Sequence, residues 1–580
     1  MTSGLGLRFK AHDSKLLLLI IPMTLSAFTS LYNPVGFPAI HVDEGTYVRW
    51  ALHYLAGLGP QERQLYDHPY FGQIFLAGVF LITGYPNSLH LSLTPAEAAH
   101  SIEMLWLVPR LAMGLLAIID TFLIYKISEY RYNNNRKIAF IASILFAVMP
   151  ISWLTRRIWL DNIQLPFLLS SILFAVYSFP KKGTREEGNI AHSQSNNYNV
   201  KRNILMALLS GTFLGLAIFT KIPAITMIPM VGFLIFTAAN GVNNSSKNSR
   251  LSIFRYNKNL KALGLWFIPV ILIPLIWPVY AVSVNQFDSW LSGVYYQTNR
   301  TTVKVSPLFD GLADLFGIDP VLMVLGAIGI IFMASVKRDI FLLLWTIPFF
   351  IFYYLLGHFT YFYFNLLIPA FCIAAAGFIV EVSNKFKSKK LQLHQQQQQQ
   401  ILPFVIISAI GIFGFISTTL LISTNPSSFQ IKTTAFVAQY LNDNKNTASS
   451  NNIGNDRLTI VSSQIYSWIF RYVFDDANAL NYRDYSKINS TKYLLILDRY
   501  FSGYISPQDT DKSVNDSSDR KSSHVKDLQL LNKNSKRIAT FKGNIQNIDY
   551  GKYPYNGNSM AYAGGVRTII RTGELPDIKK

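Results

Sequence analysis

Residues able to move a proton or hold an anion are sparse in this chain, and the few places where they gather are informative. The segment HVDEGTYVRWALHYL sets two adjacent carboxylates, Asp43 and Glu44, at the start of a helical pattern carrying Tyr47, Trp50 and Tyr54. Acidic side chains at a helix N-terminus can serve the helix dipole alone. They are also the groups that would accept a proton from a hydroxyl. Further on, YDHPYFGQ places Asp67 and His68 before a proline suited to start a helix. SWLTRRIWLDNIQLPF gathers Arg156, Arg157 and Asp161, and isolated cations stand at Arg110 and Lys221. Arginines of this kind can anchor to headgroups by snorkelling. They are equally the groups that stabilise a phosphate as negative charge develops on it.

The elements that position these residues follow from composition. Half of the residues are hydrophobic and 14% are charged, with the charges clustered between long apolar runs such as LLLLIIPMTLSAFTSLY. A bilayer core of about 30 Å takes roughly 20 such residues. Each run must satisfy its own backbone hydrogen bonds, which makes it a helix. Eleven candidate spans can be drawn, near 16–32, 105–126, 137–153, 163–179, 204–220, 222–239, 262–282, 318–335, 340–356, 361–380 and 402–423. A net charge of +20 would suggest nucleic acid in a soluble protein. Here the basic residues fall in alternate loops, as the positive-inside rule requires, so no nucleic-acid partner is implied.

With the N-terminus inside, the cytoplasmic loops hold Arg131, Arg136, Lys137, Lys181, Lys182, Arg185, Lys201, Arg202, Lys247, Arg250, Arg255, Lys258, Lys337, Arg338, Lys385, Lys387, Lys389 and Lys390. The outward loops hold Arg49, Arg63, Arg156, Arg157, Lys221, Arg300 and Lys304. Arg110, Arg157 and Lys221 then share a depth near the outer surface. A charge in a span costs roughly 2.5–3.5 kcal/mol on insertion scales, which argues for a use. Asp120 lies deep in the second span, and its role is open between packing and function. The first run follows Arg8, Lys10 and Lys15 like a signal peptide, yet no small-residue cleavage site precedes a soluble domain, so a retained span is expected. The single cysteine, Cys372, excludes a disulfide framework.

The organisation expected is a transmembrane domain over 1–423 and an extracytoplasmic domain over 424–580. Two outer segments, 33–104 and 283–317, are longer than connections need. The first holds HPYFGQIFLAGVFLITGY, a helix suited to the interface. The tail alternates β-branched runs (RLTIVSS, KYLLILD, RIATF, VRTIIRT) with the amphipathic TTAFVAQYLND, which reads as a small α/β domain. Residues 506–526 read as a polar loop, and Gln395 to Gln400 as a low-complexity cytoplasmic linker.

In this order the motifs resemble the GT-C glycosyltransferases of the dolichyl-phosphate-mannose protein mannosyltransferase and aminoarabinose transferase superfamily. Asp43 and Glu44 match the acidic pair of the first outer loop, and His68 with Pro69 matches a His/Lys-Pro-Pro-Leu element. Arg110 in VPRLAMGLLA, Arg157 and Asp161 in RRIWLD, and Lys221 in GLAIFTK match the next three. FTYFYFNLLIPA matches a late aromatic segment, making His358, Tyr361 and Tyr363 candidate substrate contacts. The resemblance covers roughly 15–380. The chain departs from it at Tyr70, in place of the second proline, and at Thr46, where some relatives place an arginine near the acidic pair.

The resemblance implies a polytopic α-helical GT-C-like membrane enzyme with about 11 transmembrane helices and a small C-terminal extracytoplasmic α/β domain. It would transfer a hexose or pentose from a polyprenyl-phosphate donor to a hydroxyl of protein, lipid or glycan, with inversion. Asp43 is expected as general base, Glu44 as support for acceptor or metal placement, and Asp161 as a carboxylate orienting acceptor or cation groups. His68, Arg110, Arg157 and Lys221 are expected on the donor phosphate, and Asp67 beside the substrate. No cofactor is named by the sequence, and a divalent metal ion at the acidic pair is left open. The alternatives are an oligosaccharyltransferase, whose tail should carry a Trp-Trp-Asp-like run that is absent here, and a lipid or solute transporter. Transporters favour midplane sites and repeats, whereas these charges gather near one face.

Overall fold

The computed structural model describes residues 11–62, 66–84, 95–178, 192–238, 250–299, 307–388, 393–450, 458–474, 478–488, 490–505, 518–543 and 567–574. In chain order the helices are α1 (Ala11–Leu31), α2 (Val42–Leu55), α3 (Phe71–Ile82), α4 (Pro95–Arg131) and α5 (Arg136–Val148). A 3-10 turn at Pro150–Arg156 precedes α6 (Leu160–Tyr177) and α7 (His192–Thr220), and a second at Ile222–Met227 precedes α8 (Ile228–Ala238). Then come α9 (Arg250–Ser283), α10 (Phe287–Thr298), α11 (Pro307–Ile318), α12 (Pro320–Val336) and α13 (Phe341–Leu356). A third 3-10 turn, Tyr361–Leu366, leads to α14 (Ile368–Ser388), α15 (Leu393–Ile422) and α16 (Ser428–Ser450). The tail holds β1 (Thr459–Ser462), α17 (Gln464–Trp468), β2 (Ala479–Asn481), β3 (Lys492–Leu497), α18 (Arg499–Tyr504), α19 (Ser518–Asn534), β4 (Lys536–Lys542) and β5 (Arg567–Glu574).

Among the described residues, four stretches are long and apolar enough to cross a membrane: His100–Arg131, Leu160–Tyr177, Arg202–Thr220 and Leu260–Ser283. They become six if each of two bent pairs is one span. α5 with its 3-10 turn bends by 69°, where Pro150 cannot continue the helical hydrogen bonding. Leu308–Ile318 with α12 bends by 115° around Asp319 and Pro320. Six further apolar helices are shorter, so hydropathy runs that look alike in sequence differ in the helix they form. The protein is an integral membrane protein at this coarser level. Residues 395–400, read as a linker, lie within α15, and residues 518–526, read as loop, lie within α19. The remainder of that loop, 506–517, and the basic residues Arg63, Lys181, Lys182, Arg185, Lys247, Arg300, Lys304, Lys389 and Lys390 lie outside the described residues.

The chain divides into two compact units. One comprises Met1–Tyr32, Leu58–Ile74 and Met113–Thr419. Its helices approach closely through small residues, as apolar surroundings favour. A Cβ at Gly211 or Gly215 of α7 would lie 2.1 Å from the Trp266 carbonyl or 2.5 Å from that of Pro269 in α9. Gly329 of α12 meets the Ala374 backbone of α14 in the same way. Hydroxyls supply the polar contacts. Thr29 Oγ1 donates to the Ala147 carbonyl at 2.8 Å, and Thr121 Oγ1 to Ser26 Oγ at 2.8 Å.

The second unit comprises Asn33–Gly57, Phe75–Ala112 and Leu420–Lys580. Its sheet has the order β2-β1-β3-β5-β4, with β1 parallel to β2 and β3, and β5 antiparallel to β3 and β4. Ile460 sits opposite Leu494, and Leu495 opposite Arg571. β1 is buried along its whole length and β3 from Tyr493 onward, because both faces of these strands are covered. Val461, Tyr493, Leu495, Phe501 and Leu528 form the core on one side. β2 was not foreseen, since three residues are too few to show a period.

Candidate active site

The acidic pair lies in the second unit, and its two members have opposite surroundings. His41 caps α2: its Nδ1 accepts the Asp43 N–H at 3.2 Å, while Glu44 Oε2 accepts the His41 N–H at 2.9 Å. This capping box satisfies amide groups that a helix start otherwise leaves bare. Glu44 is fully buried and takes a two-pronged bond from Arg110, with Nε to Oε1 at 3.0 Å and Nη2 to Oε2 at 2.9 Å. Arg110 Nη1 donates to the carbonyls of Pro38 at 2.8 Å and Pro34 at 3.0 Å. Asp43 keeps 37% of its side chain exposed. The loop before α2 is fixed to the segment joining α15 to α16. Asn33 Nδ2 donates to the carbonyls of Ile422 and Thr424 at 2.9 and 2.7 Å, and Ile40 exchanges backbone bonds with the Gln430 amide at 2.8 and 3.1 Å. The accessible carboxylate is therefore Asp43, set on a rigid mount.

The cationic cluster lies in the first unit. Arg156 and Arg157 are both buried but do different work. Arg156 donates to the Thr29 and Tyr32 carbonyls at the end of α1, satisfying acceptors that a helix terminus exposes. The Arg157 guanidinium lies 5.3 Å from each of the Trp153 and Trp159 rings. Asp161, in the first turn of α6, accepts from Lys221 Nζ at 2.6 Å. That ammonium also lies 4.6 Å from the centre of the Tyr363 ring. Gln164 Nε2 donates to the Ala217 and Lys221 carbonyls and so fixes the lysine's backbone. The Asp67–His68 segment reaches this cluster through Gly72, where a Cβ would lie 2.5 Å from Leu160 and 3.3 Å from Thr220. These are the neighbours of Asp161 and Lys221.

No family model matches the chain, and no curated protein sequence does. Solved structures match. The archaeal oligosaccharyltransferase AglB from Archaeoglobus fulgidus, in complex with an inhibitory peptide and a dolichol-phosphate, aligns over 97% of this chain and 88% of its own. Its identity is 12% and its TM-score 0.53. The apo form of the oligosaccharyltransferase from that organism aligns over 97% and 89%, at 12% identity and TM-score 0.52. This chain has the fold of these archaeal oligosaccharyltransferase structures. ArnT from Cupriavidus metallidurans in the apo state also aligns, over 86% of this chain and 95% of its own, at 12% identity and TM-score 0.48.

Within this fold, the residues singled out by sequence fall into two groups. Asp43, Glu44 and Arg110 belong to the second unit, and Asp67, His68, Arg157, Asp161, Lys221, His358, Tyr361 and Tyr363 to the first. Asp67, His68 and His358 are half-buried, and Tyr361 and Tyr363 are buried. The His358 ring meets Tyr363 edge-on at 6.1 Å. Arg110, expected on a phosphate, is instead committed to Glu44 and the loop carbonyls. Arg157 precedes Asp161 by four residues, the spacing of one helical turn, but α6 begins at Leu160 and Arg157 is extended. Tyr70 packs edge-on against Phe219 and Tyr280 at 5.0 and 5.3 Å, an aromatic wedge where the resemblance would place proline. Beside it Tyr66 donates to Gln286 Oε1 at 2.7 Å, and burial, then Tyr280, pushes its hydroxyl up to about 12.

Three residues were missed. Asn162 Nδ2 donates to the carbonyls of Leu154 and Arg157 at 2.9 and 2.7 Å, and Asn365 Nδ2 donates to Asn162 Oδ1 at 2.7 Å. Asp319 accepts the Leu322 N–H at 2.9 Å and the Ile151 N–H at 3.3 Å, tying α12 to the turn that carries Arg156. A buried polar residue inside an apolar run is the one sequence signal they offered. Among the described residues no group of three or more His, Cys, Asp and Glu side chains is placed to hold a metal.

Proposed function

We propose that the protein is a membrane glycosyltransferase that moves a sugar from a polyprenyl-phosphate donor to an acceptor hydroxyl on the extracytoplasmic face. The observation that carries this reading is the division of labour in the acidic pair, one carboxylate locked and the other accessible. The acceptor oxygen attacks the anomeric carbon as its bond to the phosphate oxygen breaks. The hydroxyl proton passes to Asp43, and the electron pair leaves with the lipid phosphate. Arg157, Lys221 and His68 offset the charge gathering there, and Asp161 orients the Lys221 ammonium. Glu44 and Arg110 hold the mount of the base. A single displacement inverts the anomeric carbon.

The fold supports a lipid-phosphate donor, since the AglB structure of the same fold holds a dolichol-phosphate. Nucleotide sugars are cytoplasmic, so an outward-facing enzyme needs a donor that the membrane delivers. The topology that goes with this reading has eleven spans, a cytoplasmic N-terminus, a catalytic domain over 1–423 and an outer domain over 424–580. A second reading, oligosaccharide transfer to a peptide, is favoured by the alignment with AglB over 97% of the chain. The tail's SSQIYSWIF lacks the Trp-Trp-Asp run which that reading calls for.

The test is transfer by the purified protein from polyprenyl-phosphate monosaccharides or from a lipid-linked oligosaccharide. Turnover with the first that is abolished by Asp43→Asn supports the proposal. Turnover with the second alone supports the rival, and near-normal turnover of Asp43→Asn removes the assigned base.

A further inference from the structure

Glycine weakens a helix interior relative to alanine, so a glycine directly after the acidic pair needs a reason. Gly45 has one. A Cβ there would lie 2.4 Å from Trp468 Nε1, 3.0 Å from Cε2 and 3.3 Å from Cδ1. Trp468, the last residue of α17 in the C-terminal part of the chain, is 3% exposed. The pyrrole edge of its indole, led by Nε1, therefore abuts the backbone of α2. Behind it stands Trp106, fully buried, meeting it edge-on at 6.0 Å and 82°.

Trp106 precedes Arg110 by four residues, so both project from one face of α4. α4 thus grips the start of α2 twice, directly by Arg110 on Glu44 and indirectly by Trp106 through Trp468 on Gly45. One turn along α2 from Gly45, the Arg49 guanidinium lies 5.5 Å from the Tyr472 ring in the wide turn Ile469–Val473. All these residues belong to the second unit. The Trp468 indole N–H has no hydrogen-bond acceptor among the described residues, so shape rather than polarity is what the ring contributes.

We infer that Trp468 is a positioning residue, which sets the depth and direction of α2 and so of the Asp43 carboxylate two residues before Gly45. The inference rests on the reading of Asp43 as the base. A methyl group at Gly45 cannot displace a ring backed by Trp106, so α2 must move out by about 1 Å, a displacement able to cost up to about 100-fold in rate. Helix propensity acts the other way, because alanine favours the helix.

The experiment is a double-mutant cycle on the full chain in detergent with Gly45→Ala and Trp468→Val, and Trp468→Phe as the conservative variant. Turnover, donor KM and melting temperature are read for each. Gly45→Ala is expected to lower kcat about 10- to 100-fold with donor KM unchanged, and to have no further effect on kcat in the Trp468→Val background. Trp468→Phe is expected to keep kcat within about threefold, since an aromatic ring still packs on Trp106 beside α2 and the N–H has no acceptor to lose. Equal kcat losses from Gly45→Ala in both backgrounds would overturn the inference. Coupling in the melting temperature without coupling in kcat would reduce the contact to packing and also overturn it. If Asp43→Asn retained turnover, the base assignment would fall, while the melting-temperature coupling of positions 45 and 468 would persist and show that the contact itself is real.

Discussion

Adjacent carboxylates in one helical turn point about 100° apart, so they need not share an environment. Asp43 and Glu44 do not. Glu44 is buried with both oxygens bonded to Arg110, and removing one partner of such a pair leaves the other charge uncompensated. Glu44→Gln is expected to destabilise the protein by about 3–5 kcal/mol, seen as a large fall in melting temperature. Asp43→Asn, at a half-exposed site, should leave melting within about 0.5 kcal/mol while removing transfer. Arg156 and Arg157 divide in the same way. Arg156→Ala strips bonds from the end of α1 and should lower stability without changing donor affinity. Arg157→Ala should weaken donor binding about tenfold or more at near-normal stability, and Arg157→Lys should restore it only in part, because an ammonium lacks the planar fork. Equal loss of donor affinity at both positions would mean a diffuse headgroup anchor.

At the scale of elements, what the sequence revealed was local. The acidic residues at the start of α2, the tail strands and the amphipathic α16 all show in short windows, because each depends on a period or a cap within a few residues. What it concealed was the breaks. The 69° bend at Pro150 and the 115° bend around Asp319 interrupt runs whose hydropathy is continuous. The break before α6 also leaves Arg157 off the helix that carries Asp161, despite their four-residue spacing. Asn162 and Asn365 stand 203 residues apart, and no local pattern can encode their bond. Asn162 in turn donates to the Arg157 carbonyl, so Asn162→Ala is expected to cost about 1–3 kcal/mol for the groups it strands and to lower donor affinity about tenfold. Asn365→Ala should act in the same direction. The double variant should be no worse than the poorer single one, since both remove one network. Additive losses in melting temperature and donor affinity would separate the two amides.

At the scale of the whole molecule, the compact units do not follow chain order. The acidic helix shares a unit with the C-terminal sheet because its loop is bonded to residues around 422–430. The stability of that unit therefore bears on Asp43, the proposed base. Its most exposed weakness in pH is a buried acid. Asp498, directly after β3, caps α18 by accepting the Phe501 N–H at 2.8 Å and accepts from Ser463 Oγ at 2.5 Å. Burial pushes its carboxyl up to about 6, against the lowering effect of those hydrogen bonds. Between about pH 4 and pH 6 the folded protein holds a proton that the unfolded chain has already released, so stability falls as pH rises through that window and is level above it. The loss is bounded at about 3 kcal/mol by the size of the shift. Asp498→Asn keeps an uncharged acceptor for the Phe501 N–H and has no proton to lose. It should match the wild type near pH 4 and exceed it in melting temperature at pH 7.5, the gap opening between those values. Thermal melts of both proteins across pH 4 to 8 measure that gap directly, and a gap that is constant with pH would show that Asp498 keeps an ordinary carboxylate.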